Sequence, residues 1–168
     1  PSQTVSPYWD WYSRINPDRF YAIFGGTAPT HLLFAQREAL DMLKEEGQEN
    51  LFFRHEVLAK MIWSAVEHWG SKSNIVQLNV CNKKFRSHAV TTIIIKGHDT
   101  TKLSEWLNKE LGVQLGISLG FTTEDKLGGK SVFRIGHMGH MNPHMVLGLI
   151  ASIEAGLNAC KIPHSPGA

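Results

Sequence analysis

The sequence predicts an α+β fold, a small sheet with helices packed on one of its faces. Two long stretches, 30–47 and 50–69, carry apolar residues at helical spacing. Two shorter runs, 74–80 and 88–96, alternate or are rich in β-branched residues, as strands are. The patterns follow one another as helix, helix, strand, strand, helix, strand, strand, helix, which suits a layered α+β arrangement.

The elements can be justified in chain order. Residues 1–20 hold prolines and aromatics without a period, and read as an irregular segment. Tyr8, Trp9 and Trp11 would be costly to leave in water, so they cover either a partner surface or the domain's own core. Thr30 is positioned to cap a helix in which Leu32, Leu33, Ala39, Leu40 and Leu43 form a stripe, and Gly47 ends it as a left-handed cap. The next helix, from about Asn50 to Trp69, has Phe53, Val57, Met61 and Ala65 on one stripe and stops at Gly70. The two strand runs follow, the second bounded by Gly97. Asp99 is a plausible cap for a helix over 99–111 that buries Leu103, Trp106, Leu107 and Leu111. Residues 113–120 and 130–137 read as two more strands. Asn142 caps the last helix, with Pro143 at its first position and Met145, Leu149, Ile153 and Leu157 beyond.

Composition excludes several classes. Apolar residues are 42% of the 168 and charged residues 19%, enough apolar content for a packed core and too little charge for a disordered chain. The net charge of +2 is spread among acids, with no basic stripe for nucleic acid. No apolar run approaches the roughly 20 residues that cross a bilayer, and no basic-then-apolar leader opens the chain. Cys81 and Cys160 are too few for a disulfide framework and read as thiols of a reducing cytoplasm.

Chemistry concentrates in FRIGHMGHMNPHM, 133–145. Arg134 lies in a strand between Phe133 and Ile135, and a half-buried guanidinium requires an anion because it cannot lose its charge. Its planar fork matches a carboxylate through two parallel hydrogen bonds. That carboxylate is either an acid of the chain itself or a ligand. His137, His140 and His144 have spacings that a zinc ion tolerates, but they do not share a helical face and no acid lies between Arg134 and Glu154 to assist. A metal is therefore not expected. In AIFGGTAPTH, 22–31, Gly25 and Gly26 allow close backbone approach to a ligand, and Thr27 adds a hydroxyl and an amide ahead of a helix. A plain loop before a capped helix is the alternative.

The stretches GGTAPTHLLFAQREALDMLKEEGQENLFFRHEVLAKMIWSAVEHWG and VFRIGHMGHMNPHMVLGLIASIEAGLNACKIPHSPGA resemble the class V pyridoxal-phosphate aminotransferases, in particular the alanine–glyoxylate, serine–glyoxylate and pyridoxamine–pyruvate group. The resemblance runs from about Tyr8 to the C-terminus. It implies the C-terminal part of a fold-type I enzyme, whose small, mainly antiparallel sheet has helices on one face. Residues 1–47 would be a junction segment and interface helix leading from a large domain absent from this sequence, and 48–168 the small domain.

The resemblance also implies roles. Arg134 matches the arginine that binds the carboxylate of the amino or oxo acid. Thr27 matches a threonine that reaches the phosphate of pyridoxal 5'-phosphate across a homodimer interface, with Gly25 and Gly26 beside it. Phe24 stands where the family has a tyrosine and lacks its hydroxyl, a loss that the amides near Gly25, Gly26 and Thr27 would make good. No lysine precedes Thr27, the first being Lys44, so the Schiff-base lysine is expected upstream of this chain. No catalytic residue is expected within it, and the chain alone would not transaminate. The other reading is a stand-alone, non-catalytic carboxylate-binding or dimerisation module.

Overall fold

The computed structural model describes Ser6, residues 8–120, Leu127 and residues 129–168. The chain divides into two compact units, Pro1–Gln48 and Glu49–Ala168.

The first unit contains a single helical turn, α1 (Tyr12–Ile15), a 3-10 turn (Phe20–Phe24) and α2 (Thr30–Glu46). Gly25 ends the 3-10 turn at φ 69° and ψ 18°, a left-handed conformation that glycine adopts without a steric cost. Thr30 is the first helical residue and Pro29 the flanking one, so Thr30 does not cap α2 as the sequence suggested. Gly47 does end α2 with positive φ, but its ψ of 137° is not that of a left-handed cap. None of the side chains of α2 is buried. Tyr8, Trp9 and Trp11 are 71%, 68% and 65% exposed, so they do not cover a core.

The second unit holds α3 (Gln48–Gly70), β1 (Val76–Leu78), β2 (Val90–Ile95), α4 (Thr101–Leu111), β3 (Val132–Gly136) and α5 (Pro143–Ala159). The strands form one antiparallel sheet in the order β1-β2-β3. Val76 pairs with Ile95, and Thr92 with Arg134. Alternation along β2 buries Thr91, Ile93 and Ile95 and leaves Val90, Thr92 and Ile94 half-buried. Phe133 and Ile135 of β3 join the core, packed with Leu58, Ile62, Trp69, Leu103, Leu107, Ile153 and Leu157 of the helices.

Several local expectations need correction. Residues 113–120 do not form a strand. Only Gly116 bridges, antiparallel, to Arg134. The face of α3 that packs inward is Leu58, Ala59, Ile62, Trp63, Ala65, Val66 and Trp69, whereas Phe53 is exposed and Val57 and Met61 sit at its margin. The helix is apolar on adjoining faces, and the sheet selects the one that carries Trp69. In α4, Leu103 and Leu107 are buried but Leu111 is exposed. Asp99 does accept the Thr101 amide at 2.8 Å, yet the residue flanking α4 is Thr100. At α5 the reading was right: Asn142 accepts the Met145 amide at 3.0 Å and Pro143 opens the helix.

Two close approaches brace the unit. A Cβ on Gly70 would overlap the Val76 carbonyl oxygen, so the turn from α3 into β1 demands glycine. A Cβ on Gly156 would lie 2.7 Å from Leu103 Cδ1, where α5 meets α4. The C-terminal segment lies along α3 and α5. Glu154 accepts from the Trp69 indole at 2.8 Å and from the amides of Gly167 and Ala168 at 2.7 Å and 3.1 Å.

Candidate functional site

Arg134 is half-buried on the sheet face opposite the helices, because alternation in β3 turns Phe133 and Ile135 into the core. Its backbone exchanges both hydrogen bonds with Gly116, at 2.9 Å and 2.8 Å. Its Nε donates to the Ile117 carbonyl at 2.6 Å. Among the described residues no acid forms an ion pair with it. An internal salt bridge, one of the two partners open from sequence, is thus absent among the described residues, and the Nη1 and Nη2 edge faces no described carboxylate.

The turn after β3 is held from α3. Arg54 donates to the carbonyls of Gly139 and Met141 at 3.0 Å and 2.8 Å, and His55 Nδ1 donates to the His137 carbonyl at 3.1 Å. Sequence reasoning missed this clamp. Its signal was the Arg54–His55 pair, polar residues at the margin of the helix face that packs inward.

The three histidines of residues 133–145 have separate surroundings. His137 is fully buried, its Nε2 2.9 Å from the Thr91 hydroxyl, which also accepts from the Trp63 indole at 3.0 Å. Its Nδ1 has no close hydrogen-bond partner among the described residues. Burial pushes its pKa below the ordinary imidazole value, opposed in part by the nearby His88 backbone. His140 and His144 are exposed. Among the described residues no group of three or more histidine, cysteine, aspartate or glutamate side chains is arranged to hold a metal.

In the first unit the amides of Gly25 and Gly26 are spent inside the turn, on the carbonyls of Ala22 and Tyr21 at 3.0 Å and 3.2 Å. Of the three amides expected to face a phosphate, only that of Thr27 is left, together with its exposed hydroxyl. Neither is bonded to a described residue. The Arg14 guanidinium lies against Gly25, 3.3 Å from where a Cβ would be. It is held there by a 3.0 Å hydrogen bond to the Tyr8 carbonyl and by the Trp11 ring, 5.3 Å away. Arg14 was not singled out from sequence, because an arginine in an aperiodic stretch has no pattern to mark it.

No family model matches the chain. Among curated proteins it is 35% identical over 165 residues to a serine–glyoxylate aminotransferase of Methylorubrum extorquens, a match covering 95% of this chain and 37% of that protein. It is 32% identical over 156 residues to the serine–glyoxylate aminotransferase of Arabidopsis thaliana, covering 91% of this chain and 36% of that one. It is 26% identical over 164 residues to the soluble hydrogenase 42 kDa subunit of Anabaena cylindrica, covering 90% of this chain and 40% of that protein. The chain therefore spans little more than a third of the length of the aminotransferases it matches. It belongs to the class V aminotransferase family, of which it is a C-terminal portion.

Proposed function

We propose that the complete protein is a pyridoxal-phosphate-dependent aminotransferase of fold type I that moves an amino group from an amino acid to a 2-oxo acid such as glyoxylate or pyruvate. The observation that carries the reading is Arg134: a half-buried guanidinium on the sheet face away from the helices, with no described ion-pair partner. It stands in a chain whose relatives are named as serine–glyoxylate aminotransferases.

Arg134 binds the carboxylate of the amino donor and then of the 2-oxo acid, by two parallel charge-assisted hydrogen bonds from its Nη edge. Held there, the acid keeps its 2-carbon at one distance from the reacting centre through both halves of the exchange. The bound cofactor supplies the carbon that takes up and returns the amino group. The lysine that anchors it and moves protons belongs to sequence preceding this chain.

The residues of the first unit fit the cofactor's phosphate. Thr27 brings a hydroxyl and an amide not bonded to described residues, Arg14 brings a positive charge to the same turn, and a Cβ on Gly26 would meet nothing within 4 Å. Arg14 supplies the favourable interaction that Phe24, lacking a hydroxyl, does not. A homodimer is part of the reading, with the phosphate of one subunit met by Thr27 of the other. The apolar side chains that α2 leaves exposed, Leu32, Leu33 and Leu40 among them, support such an interface. Among the described residues no helix is long and apolar enough to cross a membrane. The unpaired Cys81 and Cys160 favour a reducing cytoplasm.

The test is amino transfer by the complete protein supplied with pyridoxal phosphate, glyoxylate and serine, alanine or aspartate. Glycine is expected to accumulate with at least one donor. No glycine from glyoxylate with any of them, and no alanine from pyruvate with serine or aspartate, from a folded and cofactor-loaded protein, overturns the proposal.

A further inference from the structure

Gly116 faces Arg134 across an antiparallel bridge in which both backbone hydrogen bonds are exchanged. Side chains of directly opposed residues leave a sheet on the same side. Position 116 has no side chain on that side, and Arg134 takes the space. A Cβ there would lie 3.0 Å from the Arg134 carbonyl oxygen and 3.2 Å from Arg134 Cβ. Gly116 is not among the glycines with positive φ, so backbone freedom is not what the position needs from glycine. What it needs is space. The next residue, Ile117, offers its carbonyl to Arg134 Nε at 2.6 Å.

We propose that Gly116 is a positioning residue for the substrate carboxylate. Its missing side chain lets the arginine cross the neighbouring segment, where the Ile117 carbonyl pins Nε. With Nε occupied, the fork presents only its Nη1 and Nη2 edge, and the acid is met end-on. A side-on approach through Nε and one Nη is closed. The inference rests on the reading of Arg134 as the carboxylate anchor and names what aims it.

The experiment uses the complete cofactor-loaded protein and compares Gly116→Ala, Arg134→Lys and Arg134→Ala with the parent. KM and kcat for glyoxylate and the thermal midpoint are read for each. Gly116→Ala is expected to raise KM about tenfold, a modest share of the 100-fold that a 1 Å misplacement can cost, with kcat little changed and the midpoint slightly lowered by the contact with the Arg134 carbonyl. A merely structural role would lower the midpoint and leave KM alone, and that result overturns the inference. Arg134→Lys is expected to lose affinity nearly as far as Arg134→Ala, because an ammonium cannot both reach Ile117 and offer a two-pronged edge. This comparison stands even if Gly116→Ala does not fold. Parent-like KM in Arg134→Lys overturns the pinned-fork geometry. Parent-like KM in Arg134→Ala overturns the anchor reading itself, and the role of Gly116 falls with it.

Discussion

A guanidinium set among apolar strand neighbours has few options, because its charge stays at any working pH. For Arg134 that much was legible in the sequence, and so was the choice between an internal acid and a ligand. The Ile117 carbonyl and the bare Gly116 were not, because the segment 113–120 read as a regular strand and no strand period marks an arginine that leans sideways. His137 shows the reverse. Its place in a histidine-rich motif invited metal chemistry, while its full burial and its bond to the Thr91 hydroxyl make it a core residue. Its depressed pKa has a consequence for stability. Below the ordinary imidazole value of 6.5 the unfolded chain takes up a proton that the folded chain refuses. Stability is therefore full above that value and falls as pH drops from it toward the lower folded-state value. Thermal midpoints of the complete protein between pH 7.5 and 5 should fall more steeply for the parent than for His137→Phe, and parallel curves would contradict this. At Gly70 the Val76 carbonyl leaves no room for a methyl group. Gly70→Ala should cost about 3 kcal/mol or more, read from denaturant unfolding of the complete protein.

Elements were legible where a period and a cap coincide. The last helix announced its start through Asn142 as cap and Pro143 as first residue, and the structure has them there. The inward face of α3 was harder, because a helix apolar on two adjoining faces does not reveal which one the sheet will take. The end of α5 carries local strain. Lys161 follows that helix at φ 55°, a left-handed conformation disfavoured for residues with a Cβ. Its amide returns to Asn158 and that of Ile162 to Leu157, the bonding of a helix end that ordinarily has glycine. Lys161→Gly should stabilise the complete protein by about 0.5–1 kcal/mol, part of the left-handed cost being offset by the freer unfolded chain. A lower midpoint would count against it. Between α4 and α5, Gly156→Ala pushes on Leu103, whose side-chain end can yield. A loss of about 1 kcal/mol is expected, overpacking set against better helix propensity.

At the scale of the molecule, the α+β class followed from the order of apolar periods and the antiparallel sheet from the family resemblance, while the strand registers were not read from the sequence. The exposed aromatics of residues 8–12 and the unburied α2 could not be read from pattern alone, since a stripe says that a face wants cover without saying what covers it. The chain contains the arginine that the proposed function sets on the substrate carboxylate. The most direct measurement is the steady-state kinetics of glyoxylate amination by the complete protein, parent against Arg134→Ala. A sharp rise in glyoxylate KM, amounting to about 2–5 kcal/mol of lost transition-state binding, is the predicted result. Unchanged KM and kcat would contradict the role given to Arg134.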